Sequence, residues 1–166
     1  MLILRLMKTA SVKEIKTGLE QLDEKELIQA CLRLSKFKKE NKELLTYLLF
    51  ESIDETSYVQ SVKKTLELLF EDVHPTNPYF AKKTLRKIVR TANRYIKYSD
   101  VESTEPELLL FVAEKMLGLG LNLKKSTALE NIFLSLLKKI KKAVAALHED
   151  LQYDFHKQIK LLEPSK

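Results

Sequence analysis

The sequence predicts an all-α protein, and three observations support this fold class. Leu, Lys and Glu, which are all good helix formers, dominate the 166 residues. Only three glycines and four prolines are present, fewer than the turns of a β-sandwich or barrel require. Apolar residues recur every three or four positions along much of the chain, the period of an amphipathic helix. We therefore expect seven to eight helices with short connections, which favour antiparallel neighbours.

The first four helices are indicated by capping residues and apolar spacing. The first amides of a helix lack internal partners, and a capping box supplies side-chain acceptors for them. Two such boxes are present, Ser11 with Glu14 and Asp23 with Glu26. The predicted helices run from Ser11 to about Gln21, Asp23 to Phe37, Asn41 to Ser52, and Thr56 to Val73.

A proline-containing break, His74-Pro75-Thr76-Asn77-Pro78, separates these helices from three more. Proline disfavours helix at the preceding residue and is favoured at the first position of a new helix. The fifth helix is predicted from Asn77 to Tyr98. Two further capping pairs, Thr104 with Glu107 and Thr127 with Glu130, begin the sixth helix, which ends near Gly118, and the seventh. The seventh either runs unbroken to Leu162 or bends near His148.

The sixth helix carries the longest apolar run of the chain, Leu108 to Ala113, and is apolar nearly all round. We expect it to be the most buried helix. Its length is far below the roughly 20 apolar residues of a membrane-spanning helix, so we expect no membrane span.

The helices are expected to form one domain over residues 1–166, with possible sub-units 1–74 and 77–166. Antiparallel helices of this length either stack as a short armadillo- or HEAT-like α–α superhelix or close into an irregular bundle. The tetrapeptide Leu48-Leu49-Phe50-Glu51 recurs as Leu68-Leu69-Phe70-Glu71, which favours stacking. We predict the superhelix, with the closed bundle as the alternative.

The stretch from Leu22-Asp23 through Glu26-Leu27-Ile28 to Glu43-Leu44-Leu45 resembles small uncharacterised bacterial all-helical proteins of armadillo-like character. The resemblance covers the first third of the chain and contains no diagnostic motif. It implies an α–α superhelix and no activity.

The cysteine content indicates a cytoplasmic protein. Cys31 is the only cysteine, and its helical spacing from Leu27 and Leu34 predicts a reduced, buried side chain. The first residues, Met1 to Lys8, are too short for a secretory leader and lack a small-residue cleavage site.

No residue pattern indicates catalysis, a metal site or a cofactor. His148 and His156 lie eight residues apart, whereas two metal ligands on one helix are three or four apart. The sequence has no glycine-rich phosphate loop, no nucleophile elbow and no Cys-x-x-Cys motif. We therefore expect a non-enzymatic protein without metal or cofactor.

Positive charge is concentrated in the second part of the chain. Residues 1–76 contain 12 basic and 13 acidic residues, a net charge of −1, whereas residues 77–166 contain 17 and 10, a net charge of +7. The fifth helix contributes most of the excess, with no acid between Pro78 and Ser99. Its basic residues fall within an arc of about 140° on a helix. They are Lys82, Lys83, Arg86, Lys87, Arg90, Arg94 and Lys97.

Three interpretations of this basic face compete. In the first interpretation, the basic face is only solvated, and its charge is neutralised by acids of the preceding helix, namely Glu67, Glu71 and Asp72. In the second, the face binds the phosphates of RNA or DNA, with base stacking on Tyr79, Phe80 and Tyr98. In the third, it docks an acidic protein or another acidic ligand.

A second basic cluster lies in the seventh helix and comprises Lys138, Lys139, Lys141 and Lys142. It is either a solvated face or, if the fifth and seventh helices lie side by side, an extension of the first basic face.

The sequence as a whole predicts a non-catalytic helical scaffold that binds a protein partner. The alternative is a protein that binds nucleic acid or another polyanion through the basic helix 78–98.

Overall fold

The computed structural model describes residues 8–121, 123 and 126–163, and in this part of the chain it contains helices and no strand. The eight α-helices among the described residues are α1 (Val12–Leu19), α2 (Glu24–Phe37), α3 (Lys39–Thr46), α4 (Glu55–Glu71), α5 (Pro78–Ile96), α6 (Thr104–Gly118), α7 (Thr127–Val144) and α8 (Glu149–Leu162). A π-helical turn, Tyr47–Glu51, follows α3. The predicted all-α class is confirmed. The expectation about a leader concerns residues 1–7, which lie outside the described residues.

None of the described helices combines the length and the apolar character that crossing a bilayer requires.

Both capping boxes at the start of the chain are confirmed. The amide of Glu14 donates to Ser11 Oγ at 3.3 Å, and the amide of Ser11 donates to Glu14 Oε2 at 2.8 Å. Asp23 and Glu26 make the same reciprocal pair, at 2.8 and 3.0 Å. Local side-chain chemistry is therefore sufficient to start α1 and α2 where the sequence predicts.

The two later capping pairs were predicted wrongly, by one residue in each case. Ser103 and Ser126 occupy the cap positions of α6 and α7, and neither side chain bonds to the helix. Thr104 is instead the first residue of α6, and its buried hydroxyl donates to Glu55 of α4. A carboxylate is a strong acceptor for a buried hydroxyl, so this tertiary contact takes the place of the local cap.

The chain divides into two compact units between Thr46 and Tyr47. In the first unit α2 packs against α3, and no residue of α1, α2 or α3 is buried. The expectation that Cys31 is buried is wrong, because this side chain is exposed. Enclosing a side chain takes apolar surface on several sides, which a pair of short helices does not provide.

The second unit is built around α6, which packs against α4, α5, α7 and α8. Eight of its residues are buried, and Val112 has no exposed surface. The prediction that the sixth helix is the most buried one is confirmed within the described residues. The break at residues 74–78 lies inside this unit, where it joins α4 to α5.

The helix contacts of the second unit fit either a closed bundle or a short superhelix, and the armadillo- or HEAT-like arrangement stays a prediction. The repeated tetrapeptide occupies two different environments. Phe50 lies in the π-helical turn and is 72% exposed, whereas Phe70 lies in α4 and is 7% exposed. The repeat in sequence is therefore not matched by equivalent packing.

The last predicted helix bends rather than running unbroken. It ends at Val144, and α8 begins at Glu149 with His148 as its cap residue. The imidazole Nδ1 of His148 accepts from the amide of Asp150 at 3.5 Å. The bend lets α8 fold back, so that both α7 and α8 pack against α6.

Hydrogen bonds to the side chain of Glu55 connect four parts of the second unit. Its carboxylate accepts from Tyr47 Oη at 2.8 Å, from Ser99 Oγ at 2.6 Å, and from Thr104 Oγ1. Burial raises the pKa of Tyr47, and the bond to Glu55 adds to this rise, so the phenol stays protonated and donates. One side chain therefore joins the π-helical turn, α4, the turn after α5, and α6.

Replacing Glu55 with Ala is expected to lower the free energy of unfolding by about 3 kcal/mol, because it leaves buried hydroxyls without an acceptor. Denaturant unfolding followed by circular dichroism measures the change. Glu71→Ala, at the exposed far end of the same helix, is the matched control and should change stability by less than about 0.5 kcal/mol. Equal losses in the two variants would show that the hydrogen bonds to Glu55 are not stabilising contacts.

Candidate functional site

The orientation of α5 is fixed at its start and along its apolar side. Asn77 caps the helix by accepting from the amides of Tyr79 and Phe80 at 3.1 and 3.3 Å, and Pro78 occupies the first turn. The centre of the apolar side is enclosed, with no exposed surface on Ala81, Leu85, Ile88 and Ala92. Because this side faces the core, the opposite side of the helix points outward.

The seven basic residues of α5 and its cap, called here the basic face, are not equally accessible. Most are exposed, namely Lys83, Arg86, Lys87, Arg90 and Lys97. Lys82 and Arg94 are half-buried. The Arg94 guanidinium lies 5.2 Å from the centroid of the Tyr95 ring. Arg94 thus differs in environment from the exposed residues of the face.

A surface groove of about 830 Å³ is lined by residues of both α5 and α7. Five cationic side chains surround it, four from α5 and one from α7: Lys82, Lys83, Arg86, Arg90 and Lys139. Its floor is apolar, because Leu136 is a buried core residue and Val89 and Ile132 are half-buried and pack against the core. Tyr79, Ala128, Asn131 and Ser135 complete the lining. We call this feature the basic groove.

Among the residues that the structure describes, the basic groove carries positive charge only, since none of its 12 lining residues is acidic. Within the described residues, no ion pair joins Lys82, Lys83, Arg86, Lys87 or Arg90 to a carboxylate. Unpaired cations so close together repel one another and produce a positive potential in the groove.

The acids expected to neutralise the basic face do not pair with it. Glu67 instead accepts from Lys115 of α6 at 2.6 Å. Asp72 lines a second, smaller groove of about 320 Å³, which Lys83, Lys87 and Arg90 also line. Within the described residues, Asp72 forms no ion pair with the two lysines and the arginine of this smaller groove.

The second basic cluster joins the first at one residue. Lys139 lines the basic groove, and its Nζ donates to Asn93 Oδ1 of α5 at 3.1 Å. Lys141 lies elsewhere and pairs with Glu163 at 2.5 Å. Lys138 and Lys142 are exposed and do not line the groove. The fifth and seventh helices do pack together, but only Lys139 extends the basic face.

The aromatic residues proposed for base stacking fall into two groups. Tyr79 and Phe80 are 66% and 51% exposed, and the Lys82 ammonium lies 5.4 Å from the centroid of the Tyr79 ring. Tyr98 is only 8% exposed and packs edge-on against Tyr95 at 5.9 Å. The expectation that Tyr98 stacks with a ligand is therefore wrong, since its position just after α5 turns it into the core.

The histidines and acids of the C-terminal helix form no enclosed site. His148 and His156 are both exposed, and His148 Nδ1 lies 3.3 Å from Asp150 Oδ2. Among the residues that the structure describes, no three His, Cys, Asp or Glu side chains cluster in a way suited to a metal ion.

Comparison of the chain with protein-family models, with curated proteins and with solved structures finds no match. The resemblance to bacterial armadillo-like proteins stays a prediction. The function of the basic groove has to be inferred from its own residues.

Proposed function

We propose that the protein is a non-catalytic binding module whose basic groove binds an acidic segment of a protein partner. The observation that carries this proposal is the charge of the groove, which has five cations and no carboxylate around an apolar floor. An acidic ligand would relieve the repulsion among these cations, so the free groove is complementary to such a ligand.

The apolar floor favours a protein ligand over a nucleic acid. Phosphate binding requires only cations and polar donors, and gives no reason for Val89, Ile132 and Leu136 to lie at the base of the groove. Apolar side chains of a protein segment would cover this surface, at about 25 cal/mol for each Å² removed from water. Charge and floor together match a ligand that is both acidic and apolar.

A non-catalytic role is supported by the chemistry of the lining. The lining residues that the structure describes include no carboxylate, histidine or cysteine, which are the side chains that most often act as general bases or activated nucleophiles. Ser135 is present together with lysines, which can act as bases, but the Nζ of the lining lysine nearest in sequence, Lys139, donates to Asn93 and not to Ser135. The groove offers binding groups rather than reacting ones.

The proposal includes a cytoplasmic location and a superhelical arrangement of the helices. The location is supported by the single cysteine, Cys31, which has no second cysteine for an internal disulfide. The superhelix is supported by the consecutive packing of α4, α5, α6, α7 and α8.

A second candidate function is the binding of single-stranded nucleic acid. It is favoured by the exposed rings of Tyr79 and Phe80 beside the cations of α5. Stacking of a base on such a ring contributes about 1–3 kcal/mol.

Titration of the full chain against three fluorescent ligands tests the proposal. An acidic amphipathic peptide should bind at low salt, and its affinity should fall as salt rises, because the cations of the groove are screened. Single-stranded RNA and duplex DNA are expected to bind at least about tenfold more weakly, a difference of 1.4 kcal/mol. Fluorescence anisotropy measures all three. Tighter binding of the RNA would favour the second candidate, and the absence of any binding would contradict both.

A further inference from the structure

The cations on the α5 side of the basic groove form a regular row. Lys82, Arg86 and Arg90 are spaced four residues apart on one helix, so successive side chains start about 6 Å apart along its axis. Carboxylates spaced four residues apart on a second helix have the same repeat. A helix lying along α5 would therefore match this row over two turns.

The walls of the groove do not suit an extended ligand. Both walls are helices, α5 and α7, whose backbone amides and carbonyls bond within each helix. The lining side chains are mainly donors, and the side-chain oxygens that can accept belong to Tyr79, Asn131 and Ser135. An extended segment would leave amides unbonded over the apolar floor, whereas a helical segment satisfies its own amides.

The floor and the size of the groove fit the same shape. Two turns of helix, about 10 Å wide and 11 Å long, are comparable in size with the groove, whose volume is about 830 Å³. A helix with carboxylates toward α5 has a neighbouring face available for Val89, Ile132 and Leu136. Helix-in-groove binding of this kind uses apolar anchors three or four residues apart.

From this geometry we infer that the partner segment is an amphipathic acidic α-helix that lies along the basic groove. Its carboxylates at four-residue spacing face Lys82, Arg86 and Arg90, and its apolar face covers the floor. This inference rests on the proposed function, since it specifies the form of the ligand that the same groove binds.

Three peptides of identical length and nearly identical composition test it with the full-length protein. Each has about 16 residues, enough to form helix on a surface. The first carries glutamates every four residues beside a leucine stripe. The second is a permutation of the first that destroys both spacings. The third is the first peptide with one central alanine replaced by proline, which breaks the helix. Anisotropy gives the affinities, and circular dichroism of the mixtures reports helix formed on binding.

The expected result is that the second and third peptides bind at least tenfold more weakly than the first, and that only the first gains helix on binding. Ile132→Ala removes part of the floor but none of the cations, and should weaken the first peptide about fivefold while leaving the second unchanged. A melting curve of this variant verifies its fold, and the peptide comparison in the unaltered protein does not depend on it.

Two results would overturn the inference in distinguishable ways. Equal affinities for all three peptides would leave the acidic-segment function standing and remove the helical ligand. A failure of all three to bind at low salt would remove both. Single-stranded RNA binding more tightly than the first peptide would also count against the inference, because it would assign the groove to phosphates.

Discussion

Replacing Val112 with Asp should abolish the cooperative unfolding transition of the second unit. Val112 has no exposed surface and lies in the middle of α6, which four other helices surround. Among the described residues no buried side chain is basic, so an aspartate there has no partner for its charge. Burying a carboxyl group without such a partner, together with the loss of the valine packing, costs an amount comparable with the roughly 5–15 kcal/mol by which domains are stable. Thermal melting followed by circular dichroism at 222 nm measures the effect.

The control for this variant lies on the same helix. Leu117 is 40% exposed, so Leu117→Asp places the same charge near water. Its melting temperature should stay within about 5 °C of the original. A sharp, unshifted melt of the Val112→Asp protein would show that α6 is not central to the core.

The double charge reversal Arg86→Glu with Arg90→Glu should weaken acidic-ligand binding by at least 100-fold at low salt. Both side chains are exposed and line the basic groove, so the reversal changes the net charge of its lining from +5 to +1 and places two carboxylates in the cationic row. A tenfold loss for each reversal corresponds to about 1.4 kcal/mol. Folding should survive, because relief of like-charge repulsion along α5 offsets the lost arginine packing. Arg94 is left unchanged, since it is half-buried against Tyr95.

A second pair of charge reversals, at residues outside the groove, distinguishes an effect of the groove itself from an effect of the net charge of the protein. Lys138→Glu with Lys142→Glu makes the same charge change on exposed residues of α7 that do not line the groove. This variant should bind within about threefold of the original, through weak long-range repulsion only. Equal losses in the two double variants would mean that binding depends on overall charge and not on the groove.

The helices could be predicted wherever their signals are local. Ser11 and Asp23 begin α1 and α2 because each acts within three residues of itself. Thr104 has the same local signature, but its hydroxyl bonds to Glu55, which is 49 residues away in sequence. Tyr47 is buried within a π-helical turn, a geometry for which apolar periodicity at 3.6 residues gives no signal.

Only the α5 side of the candidate site could be predicted from the sequence. The basic face of α5 follows from the spacing of its own lysines and arginines, and needs no knowledge of the neighbours. The other wall of the groove comes from Ile132, Asn131 and Ser135 of α7, which have no individual signal in the sequence. Their role depends on which helix lies beside α5. Lys139 was identified among four lysines, but only packing distinguishes it from the other three.

Because α1, α2 and α3 contain no buried residues, the two units of the chain are expected to differ in the free energy that local unfolding requires. We expect amides in α6 to exchange with solvent only when the whole second unit unfolds, because α4, α5, α7 and α8 all pack against this helix. Helices without enclosed side chains can instead open turn by turn through subglobal fluctuations at little free-energy cost. We therefore expect the melting temperature of this protein to report mainly on the second unit, and we expect the helices of the first unit to have a lower opening free energy of their own.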